Sequence, residues 1–423
     1  MKTIVFLLFL CVGTISLHAA SKDSISSYSE GQVIVKFKQG SEVELNTQAR
    51  KKRVSAKLMD IMLQIGATNS KQLMPHTNST GNNRFRMKVS KGTNNVQKDL
   101  SSLYVINFDP NQSVKEVVAM LKELDEVEYA EPNYIVKAVS CIPSSEASTA
   151  NRSDKKKLNK ANHSFNDPLF SDQWGLEAIN MPALWEKTII NPKRPIIAIL
   201  DTGIETNHPD LTANIWQNVD ETENETDSDE NGFVDDVHGW NFIENSPNVE
   251  DDNGHGTHCA GIAAAVGDNQ EGISGANQDA LVMPVKVLDS EGYGNIEQLI
   301  QGLDYAVANN ADIISMSLTS MDLSEALEDA LCMAYDYAVI LAAAGNDNNC
   351  MDFQHHSMHG HVESDSYGPH FPAASKYVLG VMATNESGDI ASFSNFDCDG
   401  PLRAKNPITS VHKNLLTLSE VTF

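Results

Sequence analysis

Basic residues are scarce in this chain of 423 residues: 31 Lys and Arg stand against 57 Asp and Glu, for a formal net charge of -26. Nucleic-acid binding rests on clustered cations set against phosphates, so that class of partner is not expected. Beyond Ala20 no apolar run is long enough to cross a bilayer, which argues against a membrane anchor in the body of the chain. Cysteine is thin as well, 6 in all, at spacings that fit no zinc-binding pattern. No internal repeat is present.

What is present begins with MKTIVFLLFLCVGTISLHAA, a Lys followed by an apolar run and small residues. This is the pattern of a secretory signal peptide over residues 1–20, cleaved after Ala20, with a secreted or periplasmic destination. The five later cysteines are Cys141, Cys259, Cys332, Cys350 and Cys398. Outside the cell disulfides can form, and Cys350 with Cys398 is one conceivable pair that spacing alone does not fix. A 41% hydrophobic and 21% charged composition is that of a globular protein, and the length leaves room for two folded units.

The first unit, within residues 21–140, reads as small α+β. GQVIVKFK alternates as a half-buried strand does, and Val114 to Val127 has helical spacing with Val117, Val118, Leu121 and Leu124 on one face. YAEPNYIV is expected to turn at Pro132 and resume extended. Residues 141–166 are rich in Ser, Asn and Lys and read as a linker open to proteolysis. From 167 to 399 apolar runs (PIIAIL, ALVMPVKVL, DIISMSL, AVILAAAG, YVLGVMAT) alternate with helical patterns (HGTHCAGIAAAVG, IEQLIQGLDYAVAN, LSEALEDALCMAYDY). That alternation predicts an α/β fold, a parallel sheet flanked by helices.

Several residues sit where chemistry is done. Asp201 ends PIIAIL at the carboxyl end of a strand, where open α/β sheets build their sites, although a lone Asp there is more often a turn residue. His255, in GHGTHCAG, starts a helix; the positive end of the helix dipole favours a neutral ring able to accept a proton. The plain alternative is a packed core histidine, the reading preferred for His258. Asn346, after a buried strand and a Gly, has an amide suited to a developing oxyanion. In DSDENGFVDD, Asp227, Asp229, Asn231 and Asp235 fall at calcium-loop positions, with Asp236 as a substitute ligand; an acidic solvated loop is the alternative.

Taken in order, AILDTGIETNHPDL, DDNGHGTHCAG, DIISMSL, AAAGN and FPAASKYVLGVMATNESGDIASFSN resemble the subtilisin-like serine protease family over roughly residues 167 to 396. VKEVVAMLKELDEVEYAEPNYIV is similar to the end of that family's inhibitory propeptide. The resemblance implies that Asp201 orients the imidazole of His255, that His255 is the general base, and that Asn346 stabilises the oxyanion. It implies polypeptide substrates held as an added strand between Ser317 and the Gly292, Tyr293, Gly294 stretch. The chain's own propeptide is implied as intramolecular inhibitor and folding aid, with calcium as a structural cofactor at the acidic loop and a weaker site at Asp210 with Asp268 or Asn269. Thr319 and Ser320 stand where the family commonly has a Gly pair. Cys259 beside His258 resembles the thiol-bearing branch of the family, expected to pack as a buried hydrophobe and to confer sensitivity to mercurials.

The resemblance stops before the nucleophile. Gly-Thr-Ser occurs nowhere in the chain, the tail 400–423 shares no family feature, and neither Ser410 nor Ser419 has the setting of a nucleophile. The expectation is an exported endopeptidase by lineage, truncated and inactive as given, with a separately encoded fragment as one way to supply the serine. The alternative is a non-catalytic secreted pseudoprotease or calcium-binding interaction protein. The chain is expected to stay unprocessed after signal removal unless another protease cuts the linker; a self-generated N-terminus near Ser164 would overturn the absence of the nucleophile.

Overall fold

The computed structural model describes residues 26–38, 55–76, 100–139, 165–187, 193–351, 369–396 and the backbone of 415–419. Ala20 with the signal segment, the stretch 140–164 and Ser410 lie outside the described residues.

The N-terminal unit is built from β1 (Tyr28–Phe37), α1 (Ala56–Gln64), β2 (Asn69–Gln72), β3 (Leu103–Asn107), α2 (Val114–Lys122) and β4 (Val127–Ala138). Its antiparallel sheet runs β4-β1-β3-β2. Alternation along β1 sends Val33, Val35 and Phe37 into a core with Leu58 of α1 and with Val117 and Leu121 of α2. Ile34, Val105 and Tyr129 instead join the core of the second unit.

Two expectations are corrected here. Helix α2 stops at Lys122 and not at Val127, because Leu124 N–H bonds back to Leu121 O and Val127 N–H to Leu124 O, two tight turns that start β4. Nor does the chain turn at Pro132; β4 runs straight through it. Proline has no N–H to donate, and it is tolerated where the β1 pairing is irregular, between Tyr28↔Tyr134 and Val33↔Pro132.

The second unit contains α3 (Trp174–Ala178), α4 (Met181–Trp185), β5 (Ile196–Asp201), β6 (Trp240–Asn241), α5 (His255–Ala264), β7 (Leu281–Lys286), β8 (Tyr293–Asn295), α6 (Ile296–Ala308), β9 (Ile313–Met316), β10 (Leu318–Thr319), α7 (Glu325–Ala334), β11 (Val339–Ala343), β12 (Leu379–Thr384) and β13 (Leu415–Ser419). The large sheet has the order β13-β12-β11-β9-β5-β7-β6. Every pair in it is parallel, as the continuous apolar runs require. Helix α6 starts at a capping box, Asn295 with Gln298, and buries Leu299, Ile300, Leu303 and Tyr305 completely. Strand β13 comes from the tail that sequence left without a place; its backbone pairs with β12 from Gly380↔Leu415 to Thr384↔Ser419.

The two units share one strand. Past Tyr134, β4 leaves β1 and enters between β8 and β10, antiparallel to both. Among the described residues no helix is long and apolar enough to cross a membrane.

Candidate active site

Asp201 is the last residue of β5 and His255 the first of α5, so the carboxyl edge of the parallel sheet brings them together. His255 Nδ1–H donates to Asp201 Oδ1 at 2.7 Å, with both side chains buried. The same oxygen accepts the Thr202 N–H at 2.8 Å. Gly256 permits the approach, since a Cβ there would stand 2.1 Å from the Gly203 carbonyl oxygen.

Asp251, which the sequence did not mark out, ties the two loops. Oδ1 accepts from Thr202 Oγ1, Asn253 N–H and Gly254 N–H, and Oδ2 from the N–H and Oγ1 of Thr257. Burial opposes its ionisation, but these donors prevail and hold its pKa below the usual carboxylate value. Beneath the Asp201 loop, Lys286 Nζ donates to the Thr202 carbonyl and lies 2.6 Å from Asp252 Oδ1.

His255 Nε2–H donates to the carbonyl oxygen of Val139 at 2.9 Å, so acceptors face both ring nitrogens. Burial works against an imidazolium, yet the hydrogen bond to Asp201 holds the pKa above its ordinary value. This corrects the expectation of a neutral ring: a carboxylate 2.7 Å away outweighs the partial charge of a helix terminus. His258 is half-buried and lines the cleft, not the core; burial and the neighbouring His255 lower its pKa. Cys259 Sγ lies 4.0 Å from His255 Nδ1. Burial and the charge of Asp201 push that thiol up, so it stays protonated.

The cleft around His255 has a volume of about 760 Å³ and is filled along one side by the end of β4. Lys137 pairs with Tyr293 on one edge and Thr319 on the other, and Val136 pairs with Gly294. Ala138 N–H donates to Gly292 O and Val139 N–H to Ser317 O, each at 2.8 Å. Ser317, Gly292, Tyr293 and Gly294 are thus brought onto one extended backbone, and Asn346 lines the same cleft. The residue held at His255 is Val139, far in sequence from Ser164.

The acidic loop has a tighter centre than its spacing predicts. Carboxylate oxygens of Glu221, Asp227 and Asp229 lie within 4.8 Å of one another, and Glu221 was not foreseen. Asn231 N–H donates to Asp227 and Asp229. Asp235 turns away, accepting Asn224 and Glu225 N–H. Asp236 is fully buried and accepts Asn218 Nδ2, Asn231 Nδ2 and Tyr305 O–H; burial raises its pKa to about 6. At the weaker site Asp210 accepts Asn269 Nδ2 and Ile273 N–H, and Asp268 Oδ1 accepts Asn166 N–H. Cys259 and Cys332 are free thiols and Cys350 is disulfide-bonded; Cys141 and Cys398 lie outside the described residues.

The profile of the Subtilase family matches residues 193–405, past the expected boundary at 399, and that of the fervidolysin N-terminal prodomain matches 88–133. Thermitase of Thermoactinomyces vulgaris is 34% identical over 233 residues, 55% of this chain and 69% of that protein. Minor extracellular protease Epr of Bacillus subtilis is 35% identical over 224 residues, 53% of this chain but 28% of that one. The crystal structure of fervidolysin from Fervidobacterium pennivorans, a keratinolytic enzyme related to subtilisin, shares the fold at a TM-score of 0.59 and 21% identity, covering 88% of this chain and 46% of that one.

Proposed function

The chain belongs to the subtilase family, and on that premise we propose that its chemistry is hydrolysis of peptide bonds in polypeptide substrates by an Asp–His–Ser triad. The observation that carries the reading is the extended segment 135–139, bonded along both edges of the cleft with its last carbonyl on His255. A substrate held in this way has its scissile carbonyl beside the base.

In this reading Asp201 fixes the ring and stabilises the imidazolium, and His255 takes the nucleophile's proton and returns it to the leaving amine. Asn346 donates to the tetrahedral oxyanion. The prodomain inhibits by occupying the cleft: with a carbonyl at Nε2 the base has no lone pair to offer. The bond presented is Val139–Ser140, which moves the expected self-cleavage away from Ser164. Export fits the signal-like N-terminus and the similarity to the minor extracellular protease of Bacillus subtilis. The 423 residues hold Asp and His but no Gly-Thr-Ser, so this stretch by itself is inactive and keeps its prodomain attached.

Calcium is the cofactor the donor set suits. Glu221, Asp227 and Asp229 offer hard carboxylate oxygens within reach of one ion. Its part is structural, holding the loop that leads to Trp240.

Mass spectrometry of the purified chain, alone and with casein, tests the reading. An uncut chain and intact casein are expected; hydrolysis by these 423 residues would overturn the stated inactivity. A chain extended in frame with a Gly-Thr-Ser-x-Ala-x-Pro segment is expected to cut itself after Val139. If it cuts nothing, a non-catalytic binding role becomes the better reading.

A further inference from the structure

The side chain preceding the presented bond is that of Val139. It is half-buried and lines the same cleft as Thr319, Asn346 and Asp347. Behind Thr319 the space is already filled. Thr319 is 2% exposed, and its Oγ1 lies 3.0 Å from Nδ1 of His370, a ring that is 1% exposed. The opposite wall crowds the same ring: a Cβ at Gly345 would stand 3.1 Å from His370 Nδ1. His370 Nε2 has no hydrogen-bond partner and faces the Asp347 carboxylate at 3.6 Å, beyond hydrogen-bond reach. An imidazole and a β-branched residue therefore occupy volume that glycine at position 319 would leave open, and close packing gives that volume little freedom to reopen.

We propose that Thr319 and His370 set the depth of the pocket for the residue before the cut bond and restrict it to aliphatic side chains of about the size of valine. The proposal rests on the substrate-like seating of Val139 and adds what selects it. An aromatic ring in that place meets Thr319 before it is buried and lifts the strand from both edges. Neither residue touches the reacting atoms; both act through the space they leave.

Hydrogen exchange on the full chain tests this without any need for turnover. The amides of Ala138 and Val139, bonded to Gly292 O and Ser317 O, report the seating, and those of β5 report folding in each variant. Val139→Ile and Val139→Ala are expected to keep wild-type protection. Val139→Phe is expected to lose it by about tenfold or more, with Val139→Leu intermediate. Adding Thr319→Gly to Val139→Phe is expected to restore it. Unchanged protection in Val139→Phe, or a loss that Thr319→Gly does not recover, would overturn the proposal. Unprotected Ala138 and Val139 amides in the wild type would overturn the seating itself, a failure separate from any absence of hydrolysis.

Discussion

Lys36 Nζ lies 2.7 Å from Asp329 Oδ2, with the two side chains 6% and 4% exposed, across the boundary between the prodomain and the catalytic domain. Tyr129 O–H donates to the same oxygen. Lys36→Met leaves a buried carboxylate without its cation and is expected to cost roughly 3–5 kcal/mol. The measurement is the denaturant midpoint of the full chain. The double variant Lys36→Met with Asp329→Leu should cost clearly less, because neither member of the pair is then left charged without its partner.

Glu131 of β4 caps α7. Its carboxylate accepts from Ser324 Oγ and from the N–H groups of Glu325 and Ala326. Glu131→Ala leaves those helix-terminal donors buried and unpaired, for an expected loss of about 1–3 kcal/mol. Thermal unfolding checks it; an unchanged midpoint would deny the cap any weight.

The Asp201–His255 pair makes stability depend on pH. The folded-state pKa of His255 is raised, so its contribution is complete below the unfolded value of about 6.5 and is lost as pH rises through the folded value. The gap in melting temperature between wild type and Asp201→Asn is therefore expected to be widest below about pH 6 and to narrow above neutrality. A gap that grew with pH would contradict the imidazolium assigned in the docked state.

Chelation probes the acidic loop. Removing calcium is expected to lower the melting temperature, by an amount equivalent to about 3 kcal/mol if the ion is present at a hundred times its dissociation constant. Asp227→Asn with Asp229→Asn should abolish both the shift and calorimetric calcium binding. A wild-type chain indifferent to chelator would leave the loop as a solvated acidic turn.

The parallel sheet and five of its strands were legible because buried parallel strands are written as unbroken apolar runs, from PIIAIL to YVLGVMAT; their order in the sheet was not. Asp201 and His255 were legible through local motifs, and the Gly292–Gly294 edge through the family resemblance. What escaped depends on distance in sequence. Asp251 reads as one more acid before a turn until its five donors from two loops are seen together. His370 acquires meaning only through Thr319, 51 positions away. Strands β8 and β10 are three and two residues long and exist as strands because β4 pairs with them. The polar β2, NSKQ, carries no alternation strong enough to announce itself. The expectation of a neutral His255 weighed the helix terminus alone and left out the Asp201 carboxylate that the family resemblance had already set beside the ring.

Because β4 runs unbroken from the prodomain sheet into the cleft, the prodomain works as a ruler. Its pairing with β1 counts residues forward to the one that meets His255, so the proposed point of cutting would be indexed by sheet register. One residue inserted between Tyr134 and Val136 would carry every later side chain to the opposite face and offer Ala138 in place of Val139. Two would keep the faces and advance the count by a full step of the pleat.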